Sequence, residues 1–168
     1  VKAHSDLRHR DTEVVKQIGP RCSAYGLVAG IENLLGNPDQ VKLSQSHLFS
    51  GYRKYSSDSA VFAAKRMAIT EYKYWPHTRK WIPKKGYKKN AHTELTDISF
   101  INNDVKKAVK ALDAGRPVYL GLSVTSSMGK CDSVLDPQSG TTGGGHAINI
   151  SGYGLDESVP GGGYFIIK

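Results

Sequence analysis

Two residues far apart in the chain have the side chains that thiol chemistry needs, Cys22 and His146. Cys22 follows a turn-prone run, Gly19, Pro20 and Arg21, and precedes apolar side chains at Leu27, Val28, Ile31, Leu34 and Leu35. That spacing predicts a helix with Cys22 at or just before its start. Unpaired backbone N–H groups and the positive end of the macrodipole there favour a thiolate. His146 follows Gly143, Gly144 and Gly145, read as a turn, and opens an alternating segment read as a strand. Each residue alone also fits a structural role, as a small buried thiol or a histidine at a strand start. Together they are the nucleophile and base that a fold, not the sequence, brings into contact.

The elements that must position them follow from pattern and punctuation. The helix from Ser23 stops at Gly36, Asn37 and Pro38. Ser44 is the expected cap of a second helix through Tyr52, and Ser59 of a third reaching Met67. Residues 1 to 16 read as an irregular lead-in. From Ile69 to Lys89 aromatic and basic residues alternate around Pro76, Pro83 and Gly86, which reads as a long loop pinned by its rings. A strand is expected over Thr93 to Ile101, then a helix capped by Asn102 or Asn103, then strands over Val118 to Val124, Ala147 to Tyr153 and Tyr164 to Ile167. Helices gather in the first half and strands in the second.

The 168 residues suffice for one core or two small lobes. Lys and Arg number 23 against 15 Asp and Glu, a net charge of +8. The basic residues are spread out except between Lys73 and Lys89 and accompany no nucleic-acid motif, so solubility accounts for them better than nucleic acid does. Two cysteines, Cys22 and Cys131, exclude a disulfide framework, and Cys131 reads as a spare thiol. This fits a reducing compartment and also an exported protein without bridges, and the reading inclines slightly to export. No apolar run approaches a membrane span. His4, His9, His47, His77 and His92 lack metal-ligand spacing and are expected at the surface. No metal or cofactor is expected.

With these residues in view, the chain resembles the papain-like cysteine peptidases along nearly its whole length. The resemblance is carried by Asp6 to Arg8, by Val15 to Tyr25, by Leu43 to Leu48, by Glu71 to Pro76, by Val105 to Val124 and most closely by Gly144 to Gly154. The separation of Cys22 and His146, 146 minus 22 or 124 residues, is slightly below the roughly 130 to 150 of that family. The resemblance implies an α+β, two-lobed fold, with a helical lobe over about 17–90, an antiparallel β-rich lobe over about 91–168 and a cleft between them. It implies peptide-bond hydrolysis through a Cys22 thioester, with His146 as general base and acid. The oxyanion donors would be the Cys22 N–H and the Gln17 amide, with Gly144 and Gly145 lining the substrate cleft. Partners would be a peptide or protein substrate and an inhibitor or pro-segment.

The chain also departs from that pattern. Gln17 lies one residue nearer the cysteine, and Ser23 stands where the family has an aromatic residue. The family's disulfide cysteines are missing. The histidine-orienting Asn would come directly after Lys168, so the chain is expected to lack its C-terminal end. Asn149 should not replace it, since strand residues 146 and 149 face opposite sides. These departures keep two alternatives in view, an inactive peptide- or protein-binding module and a Cys-His acyltransferase.

Overall fold

Small hydroxyls and apolar spacing set the helices of the first half. The protein, described here from a computed structural model, is defined over residues 3–39, 42–53, 56–78, 82–128, 134–135 and 141–168. Trp81 and Cys131 lie outside the described residues. Helix α1 spans Cys22–Leu35, starting at the cysteine itself, and ends where Gly36 turns left-handed. Helix α2, Gln45–Ser50, is capped by Ser44 as expected, its Oγ accepting the His47 N–H. Helix α3, Ser57–Ala64, is capped by Ser56 and not by Ser59. Ser56 Oγ accepts the Ser59 N–H, so Ser59 is the third helical residue and its own hydroxyl lies too far along to cap. Leu27, Val28, Ile31, Leu43, Leu48 and Ile69 are buried together as a first core.

The second half is an antiparallel sheet built on one long strand. Strands β1 (His4–Asp6), β4 (Val118–Thr125), β5 (Thr142–Leu155) and β6 (Gly163–Ile167) form it, with β5 paired to each of the others. The lead-in, expected to be irregular, thus contributes a strand: Asp6 lies opposite Gly152. Strands β2 (Ile69–Thr70) and β3 (Ala91–Thr93) make a separate ribbon. The strand expected over Thr93 to Ile101 stops at Thr93, because Leu95 and Ile98 are spaced to pack onto the first core, a spacing that breaks strand alternation. Asn102 and Asn103 do not cap the next helix. Their φ values of 49° and 60° make the turn before it, and Asp104 caps α4 (Val105–Asp113) by accepting the Lys107 N–H. Leu7, Ala108, Leu112, Val118, Ile150 and Tyr153 form a second core.

The aromatic segment is pinned by its rings as expected. Trp75 is buried, with the His47 ring stacked 5.3 Å away and Tyr87 edge-on at 4.9 Å. His47 is therefore not a surface residue: it is buried, and its Nδ1 accepts the Thr70 N–H at 3.0 Å. Among the described residues no helix is long and apolar enough to cross a membrane.

Candidate active site

Cys22 is half-buried at the first position of α1, with Arg21 at the N-cap. Helix geometry leaves the backbone N–H at that position without an intrahelical acceptor, so it is available as a donor. The next residue fixes the turn from two sides. Ser23 Oγ lies 2.7 Å from Tyr52 Oη, and Tyr119 Oη, from β4, donates to the Ser23 carbonyl at 3.0 Å. Burial pushes the Tyr52 hydroxyl up to about 12 and raises Tyr119 as well, and charge on Cys22 adds to both shifts. Ser23, which replaces an aromatic residue in the family pattern, is thus the point where hydroxyls converge beneath the cysteine.

Gln17 is exposed, and its Nε2 donates to the Gly19 carbonyl at 2.7 Å. The same carbonyl accepts the Arg21 N–H at 2.8 Å. Ile18 N–H in turn donates to Tyr25 Oη at 3.3 Å, which ties this short turn to α1. An amide NH₂ carries two protons, so one of Gln17's remains to be donated.

His146 is half-buried in β5, opposite Leu122 of β4. The glycines before it are strand and not a turn: Gly145 and Gly144 lie opposite Ser123 and Val124. The ladder accommodates them because Gly144 alone takes a positive φ, 140°, next to a register shift at Val124 and Thr125. Gly144 and Gly145 are both exposed, and a Cβ at either would meet nothing within 4 Å among the described residues.

Helix α1 lies directly on β5. A Cβ on Gly26 would lie 3.0 Å from the Ala147 carbonyl oxygen, so the glycine lets helix and strand approach closely. One turn on, a Cβ on Gly30 would lie 2.9 Å from Asn149 Oδ1. A cavity of about 150 Å³ brings Gln17, Tyr25, Gly26, Glu32, His146 and Lys168 to one lining. At positions i, i+3, i+4 and i+7, Cys22 shares one helix face with Tyr25, Gly26 and Ala29, which also line that cavity. Asn149 lines a different cavity.

The cavity floor holds a buried acid that sequence reasoning did not single out. Glu32 Oε2 accepts from Thr12 Oγ1 at 2.5 Å and its Oε1 accepts the Leu43 N–H at 2.6 Å. Lys168 Nζ donates to Thr12 Oγ1 at 2.9 Å and to the Thr12 carbonyl. Burial raises the Glu32 carboxyl above its usual range against these hydrogen bonds, and lowers Lys168. The available signal was a glutamate beside Ile31 on the apolar side of a helix, a place where a carboxylate needs partners.

Solved structures similar to this chain include several cysteine proteases. Xylellain from Xylella fastidiosa superposes with a TM-score of 0.74 at 20% identity, over 91% of this chain and 70% of that one. The fold of this chain is papain-like. Digestive procathepsin L 3 of the Tenebrio molitor larval midgut gives a TM-score of 0.79 at 18% identity over 99% of this chain. Bromelain from Ananas comosus, in complex with the E64 inhibitor, gives 0.75 at 18% identity over 100% of this chain. This chain spans 59% of the procathepsin and 82% of the bromelain. No protein-family model and no curated sequence matches it.

Proposed function

We propose that this protein is a cysteine peptidase that hydrolyses peptide bonds through a thioester on Cys22. The observation that carries the reading is the register of α1 on β5. Gly26 lies on Ala147 and Gly30 on Asn149, four helical residues for two strand residues. Those steps match, at about 6 Å and about 6.6 Å. The same step taken backwards from Gly26 supports a position for Cys22 beside Gly145 and His146.

In this reading the Cys22 thiolate attacks the substrate carbonyl carbon while His146 holds the proton. The C–N bond then breaks, and His146 gives that proton to the leaving amine. Water, deprotonated by His146, hydrolyses the thioester and regenerates the thiol. The Cys22 N–H and the second amide proton of Gln17 face the charge that develops on the carbonyl oxygen. The exposed backbone of Gly144 and Gly145 receives the extended substrate. For the imidazole's orienting group, Lys168 exchanges both backbone bonds with Asn149, so a residue following it would lie beside Ile148 and near His146. The resemblance calls for Asn there. That the procathepsin neighbour is a proform and that the bromelain neighbour holds an inhibitor supports a pro-segment or inhibitor as a further occupant of the cleft.

One observation favours a second reading, a peptide-binding module without turnover: the Gln17 amide is turned onto Gly19. A fluorogenic peptide assay on the protein and on Cys22→Ala separates the two. Cleavage that vanishes in the variant supports the peptidase, whereas binding without cleavage supports the module.

A further inference from the structure

Helix α1 has a second working face, turned away from Cys22. Leu27, Ile31 and Val61 of the first core and Leu120 and Ile150 of the sheet wall a cavity of about 620 Å³. That volume is in the range of small-molecule sites, which form preferentially where two packed units meet. We propose that it binds a second ligand, an apolar body with a hydrogen-bonding group at one end and a protonated amine at the other.

Three observations carry this. First, apolar side chains stand exposed at the mouth: Phe100 is 63% accessible and Val105 60%. Second, Asn149 lines the cavity, is wholly buried, and has no hydrogen-bond partner for either amide atom among the described residues. A buried amide without a partner is unfavourable, and a hydroxyl or carbonyl on a ligand relieves it. Third, the lining carries Asp58, Asp97 and Asp104 against one guanidinium, Arg116. Arg116 is already paired with Asp97 at 3.0 Å, and Asp104 is engaged at the start of α4. Asp58 is exposed, with no ion-pair partner among the described residues. It is the group that selects a cation.

The charge of the whole molecule makes this selection a sharp test. At +8 the chain's general field attracts anions, so a cavity that prefers a cation does so through its own carboxylates. The experiment titrates the protein with 4-(4-hydroxyphenyl)butylamine, with 4-phenylbutylamine, which lacks the hydroxyl, and with 4-(4-hydroxyphenyl)butanoate, which reverses the charge. The readout is the methyl NMR shifts of Val61, Leu120 and Ile150. The hydroxylated amine should bind about tenfold more tightly than either of the others, the effect of one well-placed charged or buried hydrogen bond. Asp58→Asn should remove the preference over the butanoate, and Asn149→Leu the preference over 4-phenylbutylamine. If Asn149→Leu does not fold, the two amines compared on the native protein still test the floor. Similar affinities for all three compounds, persistence of either preference in its variant, or shifts absent from those three methyls would each overturn the proposal.

Discussion

At the scale of single residues, the peptidase reading makes Cys22 different from any ordinary thiol. Iodoacetamide should label Cys22 much faster than Cys131, as followed by peptide mass, and comparable rates would count against an activated thiolate. His146→Ala should erase the difference; unchanged labelling would mean that the pair does not form. Gln17 is the more open case, because its amide already serves Gly19. If the remaining proton completes the oxyanion site, Gln17→Ala should lower kcat roughly 10²-fold. A negligible effect would mean that the shortened spacing leaves the Cys22 N–H to act without it.

At the scale of elements, the contact between α1 and β5 is the dimension that sets the site. Gly26→Leu would force a side chain into the Ala147 backbone and push helix and strand apart. Such overpacking costs about 1–3 kcal/mol, so urea unfolding should show that loss, and Cys22 labelling should slow with it. Much of this arrangement was legible beforehand. Apolar spacing after Cys22 marked α1, Ser44 marked α2, and alternation marked β4 and the later part of β5. What stayed hidden depended on contacts distant in sequence. Nothing near His4–Asp6 announces that this polar segment pairs with Gly152 to Gly154, and three glycines before a histidine look like a turn until β4 lies alongside them. His47 looked solvated because its Thr70 and Trp75 neighbours come from another part of the chain. Ser59 and Asn102 show the reverse: the right capping chemistry stood within a few residues of the true cap, and backbone geometry chose between them.

At the scale of the whole molecule, the lead-in, α1 and the end of β6 meet at Glu32, Thr12 and Lys168. Glu32 has its folded value raised by burial, so the folded state holds its proton more tightly than the unfolded state. Its contribution is then fully present below the ordinary glutamate range and declines as pH rises through the folded value. The stability of the protein relative to Glu32→Gln should accordingly fall as pH rises above the ordinary glutamate range in urea titrations. A difference that stayed flat or grew with pH would show that the carboxylate is well accommodated when ionised. The paired phenols at Ser23 carry a mechanical consequence. One rivet comes from Tyr52, just past α2, and one from β4, so the ledge under the sulfur is held by both the helical and the sheet halves of the chain. In the peptidase reading, the movement that admits a substrate would then fall to the glycine-rich arm before His146.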